Sequence, residues 1–230
     1  MTRTIRSSSV ALLLALVMGA SAGSASAALL WVDSFNGRTL RAPWHEVDAR
    51  WRVGSGALRV VKASVDRRTH VGYAVVGLGS AHRSGLRVSS KVRLSPGQSN
   101  IGVVAPFENA GNHLLCKVEL TPGHPDGKVA IERRLRGGSP TLLRARGAVG
   151  LRKGAVYRVT VVRRLRVVTC SVQRNAAIVT KLRYSMTPQD LRAFGSGAKA
   201  GVRIRVVDRA TSDDEDDGRS RFLDFRALAI

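Results

Sequence analysis

The sequence is short of cysteine, of acid and of long apolar runs, and each shortage rules something out. Cys116 and Cys170 are the only two cysteines, and they fall in separate apolar stretches far apart in the chain. That excludes a zinc site built on thiolates, and with it zinc catalysis of that type. No apolar stretch exceeds the one from Val10 to about Met18, which falls short of the roughly 20 residues a helix needs to cross a bilayer. Acid is scarcest of all: 16 Asp and Glu stand against 38 Lys and Arg, for a formal charge of +22. Six of those acids are Asp208 and the run Asp213, Asp214, Glu215, Asp216 and Asp217, so the rest of the chain is more basic than the total indicates.

The N-terminus has Arg3 and Arg6, then the apolar run, then small residues ending in Ala25, Ser26 and Ala27. This is the pattern of a secretory signal peptide over residues 1–27, leaving a single domain over 28–230. No twin arginine precedes the run, and Ala28 stands where a lipid-anchored bacterial precursor needs cysteine. A secreted, unanchored product with no transmembrane segment is the expectation. Without Arg3 and Arg6 the formal charge falls by two, to +20. A field of that sign attracts polyanions: anionic cell-wall polymers, acidic polysaccharides, a membrane surface, or nucleic acid non-specifically. Arginines at alternate positions, as in GVRIRVV and SSKVRLS, are equally the solvated face of a strand.

Between Ile101 and Val172 the apolar residues alternate: IGVVAPF, HLLCKVEL, KVAIERRL, AVYRVTVVRRL and VVTCSV, parted by AGN, PGHPDG, RGGSP and LRKG. A period of two marks strands with one dry face, and turn chemistry at these short intervals marks antiparallel sheet. Leu114, Cys116, Val118 and Leu120 share the dry face of one strand, and Val168, Cys170 and Val172 that of another. Both cysteines thus point inward. In an exported chain that favours a Cys116–Cys170 disulfide over two buried thiols, provided the strands bring the Cα atoms within about 7 Å.

Elsewhere, Trp44 and Trp51 beside strand starts read first as core seals and second as sugar-stacking platforms. VGYAVVGLG is a strand, and Thr187 with Pro188 opens a single helical turn. In RFLDFRALAI, Phe222, Asp224 and Arg226 alternate with Leu223 and Phe225. The polar stretch FENAGNH supplies Asn109, Asn112 and His113 as candidate ligand-binding residues, because loops are where a rigid scaffold places such groups.

The order of these elements resembles the concanavalin A-like lectin and glucanase superfamily in its laminin-G-like form. The resemblance rests on DSFNGRTL with WRVGSGALRV, on GVVAPFENAGNHLLCKVEL, on GLRKGAVYRVTVVRRLRVVTCSVQRNAAIV, and on GAKAGVRIRVV with RFLDFRALAI. It implies an all-β, two-sheet antiparallel sandwich, a jelly roll, with sugar or protein ligands on the concave face or at the loop edge. It also implies a structural Ca²⁺ between the terminal strands, with Asp33 and Asp224 at the corresponding positions. FNGRTL followed by Trp44, Trp51 and Gly56-Ala57-Leu58 resembles in addition the 3-keto-disaccharide hydrolases. Against an enzyme of the glucanase branch stands the lack of any Glu-x-Asp-x-x-Glu strand, and the Gln-Ile-His strand of the jelly-roll lyases is missing too. The expected role is therefore non-catalytic binding of a glycan or anionic cell-surface polymer, with a keto-glycoside hydrolase and a basic polyanion binder as alternatives.

Overall fold

The computed structural model describes residues 27–63, 71–79, 85–95, 99–194, 199–205 and 220–230. The leader and the acidic run Asp213–Asp217 lie outside the described residues. Two antiparallel sheets and one short helix make up the fold, an antiparallel β-sandwich. Sheet A runs β13 (Ala177–Ser185), β12 (Val167–Arg174), β11 (Val156–Arg164), β6 (Gly85–Arg93), β15 (Arg221–Phe222), β4 (Ala57–Ala63), β3 (Ala49–Gly54). Beside it, β16 (Phe225–Ala229) also pairs with β6, and β1 (Ala28–Asp33) pairs with β16. Sheet B runs β10 (Thr141–Gly147), β9 (His124–Arg134), β8 (Asn112–Thr121), β7 (Ser99–Asn109), β14 (Lys199–Arg205), β5 (Val71–Gly77), β2 (Trp44–Val47).

The alternation read from the sequence is the alternation of burial. Leu114, Cys116, Val118 and Leu120 of β8 face Val168, Cys170 and Val172 of β12 across one core, all 2 % exposed or less. Cys116 and Cys170 form a disulfide with Cα atoms 5.5 Å apart, so the staple joins one sheet to the other rather than two neighbours in one sheet. Trp44 and Trp51 are core residues. Trp44 packs edge-on against Phe225 and donates its indole N–H to Asp33, and Trp51 donates to the Tyr73 carbonyl. Neither offers a platform to a sugar.

The helix α1 (Pro188–Phe194) closes one end of the sandwich. As the sequence implies, Thr187 caps it: the Asp190 N–H donates to the Thr187 hydroxyl, and the Asp190 carboxylate accepts from the Thr187 N–H at 2.8 Å. Asp190 is fully buried and also accepts from the Tyr184 hydroxyl and from Arg133. Burial works to raise the Asp190 carboxyl, but these donors outweigh it and hold it below the ordinary carboxylate value.

Three local readings differ from the structure. The stretch 110–111 is a two-residue turn, so Glu108, Asn109, Asn112 and His113 belong to strands rather than to a loop. Pro125, Asp126 and Gly127 lie in β9 and not in a hairpin tip. Asp126 and Gly127 accept backbone hydrogen bonds from Leu151 and Val149, and Gly127 takes φ of 82°, a conformation glycine supplies at no steric cost. At the C-terminus, residues 223–224 interrupt the strand, so Phe222 and Phe225 both point into the core and the alternation through Asp224 is broken. Strand β10 has no counterpart in the sequence reading. It is an edge strand exposed along most of its length, and its Arg144 and Arg146 leave no apolar period to detect.

Candidate functional site

One face of sheet B packs on the core, so the other should be a solvated surface. It is not. Tyr73 of β5, Asn100 of β7, His113 and Lys117 of β8, and Arg203 of β14 all point to the outward side, and all are 7 % exposed or less. Tyr73 and His113 are joined there by Val75, Val104, Phe107 and Leu115 in a small apolar cluster separate from the main core. The register explains the grouping: Arg203 lies directly across from Gly102 and Tyr73, and Gly102 lies directly across from Lys117. A side chain at Gly102 would collide with the backbone of β8 at Cys116 and Lys117, so glycine is what lets these strands carry two cations side by side.

Arg203 donates to the Asn100 side-chain oxygen, while its Nε, buried, has no hydrogen-bond partner. Burial pulls its guanidinium below the usual arginine range, against the opposing pull of Tyr73 and Glu132. His113 sits 3.5 Å from the Tyr73 hydroxyl. Burial, with Arg203 and Arg134 adding to it, pushes the imidazole down to about 4 despite the carbonyls of Asn109 and Ala110, so it is neutral at pH 7. Burial raises the Tyr73 phenol in turn. The floor is therefore neutral donors and acceptors around one desolvated guanidinium.

Beside it runs a charge bridge. Lys117 Nζ contacts Glu119 at 2.9 Å and Glu132 at 2.5 Å, with the lysine 8 % and the two acids 16 % and 17 % exposed. Sharing one ammonium brings the two carboxylates near each other, as a retaining glycosidase pair also requires. The electrostatics differ from such a pair. Burial works to raise the Glu119 carboxyl, but Lys117, then Lys128 and His124, outweigh it and hold it below the ordinary value. A general acid needs the opposite shift.

The three ligand-binding candidates do not form one site. His113 joins the buried floor. Asn109 accepts from the Gly111 N–H and the Asn112 amide, and Asn112 accepts from the Arg136 N–H, so both asparagines hold the turn at the rim. Sequence reading missed Tyr73, Asn100, Arg203 and the Glu119–Lys117–Glu132 bridge. A signal was available for Tyr73 and Asn100, which stand in strands whose neighbouring outward residues are Val75, Gly102 and Val104; Arg203 and the bridge, among other charged residues, carried none.

Asp33 and Asp224 do not fit a shared Ca²⁺. Asp33 lies directly across from Phe225, on the core side, where its oxygens accept from the Phe35 N–H and the Trp44 indole. Asp224 is on the opposite face, accepting from the Lys91 N–H and from Arg158 at 2.9 Å, and a cation there would have to displace a guanidinium. Among the described residues no three His, Cys, Asp or Glu gather to hold a metal. A cleft of about 310 Å³ beside Asp33 is lined by Ser34, Asn36, Thr39 and Arg41.

No family model matches the sequence, and no curated protein is similar to it. Solved structures share the fold at low identity. The chain is similar to a GH43 protein from Bacillus licheniformis at 14% identity and TM-score 0.57, covering 86% of this chain but only 39% of that one. It is similar to the CBM2 module of the evolved Dit of Lactobacillus casei BL23 phage J-1 at 8% identity and TM-score 0.61, covering 89% and 96% of the two chains. A non-specific endo-β-1,3(4)-glucanase of family GH16 matches at 10% identity and TM-score 0.55, covering 89% and 91%. The structural neighbours are thus carbohydrate-binding or glycan-active jelly rolls.

Proposed function

We propose that the chain is a secreted, non-catalytic carbohydrate-binding module that holds its glycan on the outward face of sheet B. The observation that carries this is the gathering on one outward face of Arg203, Asn100, Tyr73 and a neutral His113, side chains that donate and accept hydrogen bonds around a single cation. The glycan-active neighbours support the class of ligand, and the disulfide and the expected leader support a compartment outside the cytosol. Among the described residues no exposed large apolar side chain is aromatic, so hydrogen bonding rather than ring stacking supplies the affinity. Asn109 and Asn112 act from the rim by fixing the turn that presents His113.

Titration of neutral oligosaccharides against the wild type, Asn100→Ala and Arg203→Lys tests this. Both variants should bind at least tenfold more weakly, equally at about 50 and 200 mM salt, since a neutral ligand releases few counterions. Absence of any oligosaccharide binding, or unchanged binding by both variants, would reject it. The placing of Glu119 and Glu132 on one ammonium favours one second reading, a keto-glycoside hydrolase. That reading requires turnover of a 3-keto-glucoside that Glu119→Gln and Glu132→Gln each abolish.

A further inference from the structure

The cleft beside Asp33 opens where the chain leaves β1, and it is lined by residues between Asp33 and Arg41 and by Val53 of β3. Its walls are fixed from the core. Phe35 is 1 % exposed, packs on Trp44 with ring centroids 5.8 Å apart, and takes φ of 53°, a left-handed conformation that costs a residue with a side chain. The Asp33 carboxylate holds that bend, accepting the Phe35 N–H on one oxygen at 2.7 Å and the Trp44 indole N–H on the other at 2.8 Å. Each oxygen keeps a second lone pair, so the carboxylate can accept again from the cleft. At the far end the Trp44 N–H donates to the Arg41 carbonyl and closes the segment. The other polar side chains here are uncommitted. Ser34, Asn36, Thr39 and Arg41 are exposed and, among the described residues, their side chains make no hydrogen bond or ion pair. Asp33 and Arg41 therefore share one cleft as opposite charges that do not touch.

We propose that this cleft is a separate binding site and that it takes a single neutral pyranose ring. A volume of about 310 Å³ stands at the small end of ligand sites, which suits one ring rather than an extended chain. A vicinal diol is the group that matches a carboxylate and a guanidinium held apart. One hydroxyl donates to Asp33, its neighbour accepts from Arg41, and both bonds are charge-assisted. The Asn36 amide and the Ser34 and Thr39 hydroxyls each donate and accept, so they can meet further ring hydroxyls whichever way those point. Other ligand classes meet an obstacle. An anion faces Asp33, a metal ion or amine faces Arg41, and an apolar ligand finds only Phe35 and Val53, 1 % and 4 % exposed. Because the core sets the Phe35 bend and the Asp33 carboxylate, the site is preformed and little ordering opposes binding. The glycan site proposed on sheet B is built from β5, β7, β8 and β14, whereas this one follows β1, so either can fail without the other.

The test is amide-resolved NMR on the isotope-labelled full mature chain, titrated with methyl glucopyranoside, methyl galactopyranoside, glucuronate and calcium chloride. At least one of the two neutral pyranosides should shift the amide signals of residues 34–41, saturating with a Kd on the order of 1 mM. Thr39→Ala with Arg41→Ala should weaken binding at that segment by about tenfold or more, since it removes a charge-assisted bond. The melting temperature of this variant should stay level, because both side chains are exposed and hold nothing in the fold; a merely structural role would lower it. Arg203→Lys, on sheet B, should leave binding at residues 34–41 unchanged. Four results would overturn the proposal. One is that neither pyranoside moves the signals of residues 34–41. A second is that the double variant binds as the wild type does. A third is that glucuronate or calcium binds there more tightly than both pyranosides. The last is that the shifts are confined to Asn100, His113 and Arg203, which would leave the sheet B site standing alone.

Discussion

The two outward faces of this sandwich are built on opposite principles. Sheet A keeps its charges in water, of one sign and opposed to one another across the strands. Sheet B at its centre takes charges out of water, with Lys117 between Glu119 and Glu132 and Arg203 hydrogen-bonded to the neutral Asn100. Its strands hold Glu46, Glu108, Glu119, Asp126 and Glu132, whereas β2, β5 and β7 carry no Lys or Arg at all. Solvated charges interact weakly one by one and act together as a field, while buried ones interact strongly with a few fixed partners. The cations of one face thus act as a field, and the charges of the other act through fixed contacts.

Four measurements would break or sharpen this contrast. Replacing Lys117 with Met strands two half-buried carboxylates, and we expect a loss on the order of 3–5 kcal/mol in denaturant unfolding. A loss below 1 kcal/mol would place sheet B with sheet A as a screened surface. Removing the Cys116–Cys170 bridge, which links the two faces through residues 54 apart, should cost about 4 kcal/mol in the loop-entropy account. Calorimetry of the double Cys→Ala variant should show a melting point lower by roughly 8–16 °C.

The third measurement is acid titration of stability. The folded His113 value of about 4 lies below the ordinary 6.5, so its contribution is complete above pH 6.5 and is lost as pH falls toward 4. The unfolded chain binds the extra proton in that window. The loss should reach about 3 kcal/mol, and His113→Asn should flatten that part of the profile. Smallest of all, Arg93→Gln on sheet A should raise stability by about 0.2–1 kcal/mol at low salt, with the gain fading at high salt. A loss from that change would show that Arg93 contributes through contacts rather than through repulsion.

Much of the fold was legible because the core obeys a period of two, and the cysteines were legible because both fall on the dry phase of that period. Thr187 and Pro188 announced the helix by capping chemistry that is local to the chain. The site was legible only in part. His113 was named, but on the strength of a polar loop that proved to be a two-residue turn. Arg203 and Asn100 are 103 residues apart in the chain, and Tyr73 and His113 are 40 apart; register alone brings each pair together. Nothing in the local sequence of GVRIRVV separates Arg203, which is buried, from Arg205, which is exposed. β10 escaped notice for the converse reason, since a strand with no dry face has no period.

The cross-sheet bridge also fixes what a protease can do to this molecule. Cys116 and Cys170 enclose the exposed turns at residues 136–140 and 152–154, where cleavage after an arginine is sterically easiest. A single cut in either turn yields two chains that remain tied through their cores, with both outward faces in place. Nicked and intact protein would then run together on a non-reducing gel and part only when thiol is added.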